Sequence, residues 1–218
     1  MNEKIRVVVV DDHALLRAGL VRALALDPAI EIVGEGATAS DAIDLVRNHA
    51  PDLILLDISM PGNGIEAARA IRNLANPPHI VMLTVSAEDD DVIGSFEAGA
   101  AGYILKGSDA TDIIMAVASV NAGQTFVSPD LALRLISNNA RLSSDTLSSL
   151  SELEERILFL ISEGLTARKV SEQLGLSDRI VDAHLSNILR KFNARPSKGA
   201  RDETRQVWGE LDNNVKVQ

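Results

Sequence analysis

Asp11, Asp12, Asp57, Thr84 and Lys106 each close or directly follow a short apolar run, in "VVVVDD", "LILLD", "VMLT" and "GYILK". Three carboxylates brought into one crevice repel each other, and a hard divalent cation such as Mg²⁺ is their natural counter-charge. A lysine facing the same crevice calls for a further anion. A phosphoryl group supplies it: Asp57 is then the nucleophile, Mg²⁺ and Lys106 neutralise the transferred oxygens, and the Thr84 hydroxyl donates a hydrogen bond to one of them. The expected product is an aspartyl phosphate. Taken singly, an Asp in such a place is often a helix cap and a Lys a solvated charge. Jointly they point to one site, because ligands of doubly wound sheets bind outside the carboxyl ends of the strands. A phosphatase would use the same Asp and Mg²⁺ but with a second acid two residues beyond the nucleophile, where this chain has Ser59.

The elements that must position these residues are legible as a repeat. From Ile5 to Gly123 the runs "IRVVVV", "IEIVGEGA", "DLILLDI", "HIVMLTV" and "GYILK" alternate with amphipathic stretches, which is a βα pattern. Leu53 to Leu56 is apolar throughout, as a strand covered on both faces requires. The expectation is an α/β doubly wound unit with a five-stranded parallel sheet, over residues 1–125. Residues 126–147 hold one predicted helix, about Pro129 to Ser137, and a Ser-rich stretch, and are read as a linker. Residues 148–218 are read as a second domain whose pattern is purely helical from Ser151. A chain of 218 residues is long enough for two such domains, each with its own core. It contains no cysteine for a disulfide or thiolate metal site, and Val7 to Val10 is far too short for a membrane span, so a cytoplasmic protein is expected.

The net charge of −10 is unevenly placed. Residues 1–125 carry 8 Lys+Arg against 18 Asp+Glu, whereas residues 143–218 carry 11 against 12. Within the latter, Gly164 to Arg201 holds eight basic and three acidic residues, so this stretch is basic inside an acidic chain. "TARKVSEQLG" ends in Gly175, a helix stop, and Ser177 is a ready N-cap for "SDRIVDAHLSNILRKF". Helix, tight turn and capped helix make a helix-turn-helix. In the second helix Val181, Leu185, Ile188 and Phe192 form an apolar stripe, while Arg179, Ala183, Ser186 and Arg190 lie opposite it. Such a helix presents its N-terminal residues to base edges, with flanking Lys or Arg on phosphates. His184 beside the stripe reads as a satisfied boundary histidine.

"VVVVDDH", "LILLDISMPG", "MLTVS" and "AGAAGYILKG" resemble the receiver domain of bacterial two-component response regulators, and "LSELEERILFLISEGLTARKVSEQLGLSDRIVDAHLSNILRKFNAR" is similar to the four-helix DNA-binding domain of LuxR-type regulators. Together they resemble the NarL/FixJ type. The resemblance implies a flavodoxin-like receiver in which Asp57 is the phospho-acceptor for a histidine kinase. It also implies that Asp11, Asp12, Asp57 and a backbone carbonyl at Ser59 hold Mg²⁺, that Lys106 contacts the phosphoryl group, and that Thr84 and Tyr103 form the switch. Arg179, Asp182, Ala183, Ser186, Asn187, Arg190 and Lys191 would face promoter DNA, with a helix near Lys198 to Leu211 supplying homodimer contacts. No enzymatic activity is expected beyond accepting the phosphoryl group.

Two departures stand out. The loop "MPGNGIE" is one residue shorter than usual between its glycines, next to the metal site, and Ser59 and Ser86 occupy positions that in the family tune phosphoryl hydrolysis. Asp182 stands where relatives have a DNA-contacting Lys. It pairs with Arg179 one turn away, or accepts a hydrogen bond from cytosine N4, or marks DNA binding that is lost or conditional on a partner. In the last case the helical domain would bind protein, as an anti-activator or heterodimer partner.

Overall fold

The structure, a computed structural model, describes residues 4–85, 95, 98–141 and 150–193. Runs of β-branched and leucine side chains form strands β1 (Ile5–Val10), β2 (Ile30–Gly36), β3 (Leu53–Asp57), β4 (His79–Thr84) and β5 (Gly102–Leu105). All pair in parallel, in the order β2-β1-β3-β4-β5. Helices α1 (Ala14–Leu24), α2 (Ala39–His49), α3 (Gly64–Arg72) and α4 (Ala110–Asn121) are the connections that parallel pairing requires. Alternation along the strands sorts the core into two layers. Val8, Val10, Ile54, Leu56 and Met82 meet α2 and α3, while Val7, Val9, Leu53, Leu55 and Leu83 meet α1 and α4.

The sheet is larger than the expected five strands. Phe126–Val127 forms β6 beside β5, inside the stretch read as a linker. Its two residues are too few for periodicity to reveal; they are strand because Phe126 N–H and Ser128 N–H reach the carbonyls of Ala101 and Tyr103. Helix α5 (Pro129–Arg141) follows and runs beyond the expected Ser137. Its Leu131, Ala132 and Leu135 are fully buried, and the apolar layer they join continues without a break into Ile157, Val170 and Val181 of the helical domain. The two halves therefore share one core layer, where separate cores were expected.

The helical domain comprises α6 (Glu152–Ser162), α7 (Ala167–Leu174) and α8 (Asp178–Asn193) among the described residues. The fourth helix expected near Lys198 to Leu211 lies outside them, as does Ser86. Gly175 ends α7 in the left-handed conformation (φ 66°), and Ser177 O accepts the first amides of α8, so the helix-turn-helix forms where its stop and start residues stand. No helix among the described residues is long and apolar enough to cross a membrane.

Glu154 holds this domain together at an unexpected point. It completes a capping box with Ser151 at the start of α6 and also binds Lys191 Nζ of α8. Burial pushes its carboxyl up, but the bonds from Lys191 and Ser151 outweigh this and hold it below its ordinary value. A depressed carboxyl stabilises the fold above the ordinary glutamate range, and that contribution disappears as pH falls through the folded-state value. Glu154→Gln is expected to cost about 2 kcal/mol at neutral pH and less in acid, read from urea midpoints of both proteins across that range. An equal cost at every pH would contradict the assignment.

Candidate functional site

The chain leaves β1 for β2 on one side and later crosses to β3 on the other, so a crevice opens beyond the carboxyl ends of these two strands. Asp11 directly follows β1, Asp57 ends β3, Thr84 ends β4 and Lys106 directly follows β5. Each strand end carries one functional side chain, and parallel register brings them level.

Asp11 and Asp57 are completely buried, and Lys106 Nζ lies between them, 2.9 Å from Asp11 Oδ2 and 2.8 Å from Asp57 Oδ2. Asp11 Oδ1 accepts the His13 N–H (2.8 Å), and Asp57 Oδ1 accepts the Ser59 N–H (3.2 Å). Burial raises the Asp57 carboxyl; Lys106 and the Ser59 amide pull it down without fully compensating. Burial likewise depresses the Lys106 ammonium, but its bonds to Asp57 and Asp11 prevail and leave it raised. Asp12 is more open, and His13 Nδ1 stands 2.7 Å from its Oδ1. Ligand atoms of Asp11, Asp12, His13 and Asp57 all fall within 4.8 Å of one another.

This donor set fits a hard divalent cation. The carboxylates of Asp11, Asp12 and Asp57 carry three negative charges, Lys106 returns one, and the remaining two match a metal that prefers oxygen ligands. His13 was not singled out in the sequence, although "DDH" places it in view; it is one imidazole at the open edge of the cluster.

The short loop after β3 has its own structural logic. Gly62 (φ 89°) and Asn63 (φ 64°) turn the chain through left-handed conformations, and the Asn63 side chain caps α3 by accepting Ile65 N–H at 2.8 Å. Gly64 N–H then returns to Ile58 O (3.0 Å). A Cβ at Gly64 would sit 1.9 Å from the Asp57 carbonyl oxygen, so the backbone of Asp57 is packed directly on this glycine. Gly64→Ala should cost about 3 kcal/mol through backbone displacement and slow adduct formation with acetyl phosphate. Unchanged urea midpoint and unchanged rate would show that the loop yields freely.

Tyr103, expected as a switch residue, is 1% exposed, with its hydroxyl donating to Ala100 O at 3.1 Å. Burial pushes its phenol up. It shares a core layer with Val127 and Leu131, so α5 lies over β5, the strand that leads directly into Lys106.

In α8 the apolar stripe is confirmed by Val181, Leu185 and Ile188, all essentially buried. Arg179, Ala183 and Arg190 are exposed; Ser186 and Asn187 are half-buried. Arg190 donates to Asn187 Oδ1, and Lys191 is engaged with Glu154, so these two cations are partly committed within the domain. His184 Nδ1 is buried with no hydrogen-bond partner among the described residues, contrary to the satisfied histidine expected. Asp182 does not pair with Arg179. Its Oδ1 accepts the Thr125 N–H at 3.0 Å, from the turn between α4 and β6 on the receiver side.

Comparison with known proteins places the whole arrangement. Residues 7–118 match the response regulator receiver domain model, and residues 148–200 match that of bacterial regulatory proteins of the luxR family. The chain is a response regulator of the NarL/FixJ type. It is 35% identical to the transcriptional regulatory protein DegU of Brevibacillus brevis, over 100% of this chain and 98% of the relative. It is 37% identical to the response regulator UvrY of Escherichia coli K12, covering 87% and 88% respectively. Among solved structures, the response regulator ChrA is similar at 32% identity and a TM-score of 0.54, over 94% of this chain and 98% of that one. A receiver fused to a LuxR-type domain makes this response regulator a regulator of transcription.

Proposed function

We propose that this response regulator is phosphorylated on Asp57 by a histidine kinase and, once phosphorylated, binds promoter DNA through α8. The observation that carries the first half is the buried Lys106 ammonium held between Asp11 and Asp57. An Asp57 oxygen attacks phosphorus, an O–P bond forms, and the P–N bond to the kinase histidine breaks, returning its electron pair to the imidazole. Lys106 Nζ, already beside the attacking carboxylate, takes a transferred oxygen as its new partner. Thr84, at the end of the adjacent strand, donates its hydroxyl to another. Asp11, Asp12, Asp57 and the Ser59 carbonyl would hold Mg²⁺, which when bound neutralises charge on the phosphoryl oxygens.

The exposed Arg179 and Arg190 and the half-buried Ser186 and Asn187 support a DNA-reading face on α8. On this reading the active form is a homodimer acting in the cytoplasm. Selection of full-length protein, with and without acetyl phosphate and Mg²⁺, against random duplexes at low salt tests this reading. Phosphate-dependent enrichment of one sequence is expected. No enrichment in either state would instead favour the helical domain as a protein-binding module.

A further inference from the structure

One nitrogen donor stands among the carboxylates of the crevice. His13 Nδ1 lies 2.7 Å from Asp12 Oδ1 and 3.4 Å from Asp11 Oδ1. Two ligands at right angles on an ion about 2.1 Å away stand about 3 Å apart, so these separations match those of donors that share a metal. The backbone beneath the imidazole is fixed: His13 N–H donates to Asp11 Oδ1, and His13 O accepts the Arg17 N–H at the start of α1. His13 thus occupies the N-cap position, where Ser, Thr, Asp or Asn ordinarily bonds a helix amide, yet its side chain makes no capping bond. It turns to the carboxylates instead, and with its side chain 64% exposed it is open to an ion arriving from solvent.

We propose that His13 is a direct ligand for divalent transition metals, so that ions such as Ni²⁺ and Zn²⁺ are held by its imidazole together with Asp11 and Asp12. This inference rests on the assignment of Asp11, Asp12 and Asp57 as cation ligands and extends it to the choice of ion. Charge does not discriminate among dications, because the carboxylates and Lys106 present the same field to each of them. Ligand type does. Mg²⁺ takes oxygen donors and dehydrates reluctantly, whereas Ni²⁺ and Zn²⁺ bind imidazole nitrogen strongly. One imidazole beside the carboxylates therefore adds a bond that Mg²⁺ does not use. Lys106 does not compete for the same oxygens: its Nζ holds Asp11 Oδ2 and Asp57 Oδ2, while His13 stands beside Asp11 Oδ1 and Asp12 Oδ1. A neutral imidazole also brings no charge of its own, so its removal changes ion preference and leaves the attraction for Mg²⁺ in place.

Calorimetric titration of the full chain with Ni²⁺ and, separately, with Mg²⁺ tests the assignment in wild type, His13→Ala and His13→Gln. Glutamine keeps an amide able to hydrogen-bond Asp12 but lacks the imidazole. Both variants should bind Ni²⁺ roughly tenfold more weakly or worse, since even residues that only orient a metal ligand are worth about tenfold in affinity. Mg²⁺ affinity should stay within about twofold, because that ion draws on the oxygens alone. Excess Mg²⁺ should displace Ni²⁺ from the wild type, which ties the nitrogen-bound ion to the crevice and separates it from the exposed His49 and His79. Ni²⁺ affinity unchanged in the variants, an equal loss for both ions, or a loss in His13→Ala that glutamine restores would each make His13 a partner of Asp12 alone and overturn the proposal. Ni²⁺ that Mg²⁺ cannot displace, or a wild type that binds Mg²⁺ but not Ni²⁺, overturns it as well. If the wild type binds neither ion, the assignment of the crevice as a cation site has failed, and this proposal with it.

Discussion

Asp57→Asn is expected to take up no phosphoryl group from acetyl phosphate and Mg²⁺ under conditions in which the wild type gains one, as intact mass will show. Of the buried carboxylates in the crevice, Asp57 is the one that ends a central strand, with one oxygen fixed by Ser59 N–H and the other beside Lys106. An amide in its place keeps the shape and the acceptor oxygen but lacks a nucleophilic carboxylate. Stability should move the other way. Because burial raises the Asp57 carboxyl, ionising it works against the fold, and stability declines as pH rises from the ordinary carboxylate value toward the higher folded-state value. Asparagine removes that penalty. The variant should therefore melt at or above the wild-type temperature at neutral pH while being inert to phosphodonor. A phosphate adduct that persists in Asp57→Asn would place the nucleophile elsewhere; a large drop in melting temperature would show that its charge is structural.

Lys106→Ala is expected to destabilise the protein by about 3 kcal/mol or more in the absence of divalent cations. Removing one partner of a buried ionic cluster leaves the other charges uncompensated, and here those are two fully buried carboxylates facing a common point. Millimolar Mg²⁺ should restore much of this loss, and should raise the urea midpoint of Lys106→Ala more than that of the wild type. In the wild type the ammonium already satisfies part of the charge that the metal would. Adduct formation should also slow strongly, since a transferred oxygen loses its cation. Equal metal-dependent stabilisation of both proteins would argue that Lys106 and the cation do not share these carboxylates.

How much of this was readable in the residues differs from place to place. Asp11, Asp57, Thr84 and Lys106 are legible because in a parallel sheet a strand's last residue and its chemistry coincide. Apolar runs mark the strands, and topology carries their ends to one edge. The helix-turn-helix is legible because Gly175 and Ser177 are local punctuation. Gly64 is harder: its role is the space beside the Asp57 carbonyl, and a glycine required for space leaves no signal in a motif. β6 was hidden because two residues have no period, and its pairing depends on β5 being adjacent. His13 and Glu154 had local signals, "DDH" and a capping box, but their partners come from packing.

Asp182 marks the boundary between the two kinds of information. The sequence alone determined that a carboxylate stands on the basic second helix of the helix-turn-helix, that the acidity of the chain belongs mostly to the receiver, and that carboxylates and a lysine gather at the strand ends. These follow from residue type, order and period. The tertiary structure alone decided what the carboxylate binds, because Thr125 is distant along the chain and offers only a backbone N–H, which every residue except proline possesses. Which amide meets which acceptor is set by the shared core through α5, where two domains expected to be independent are packed as one.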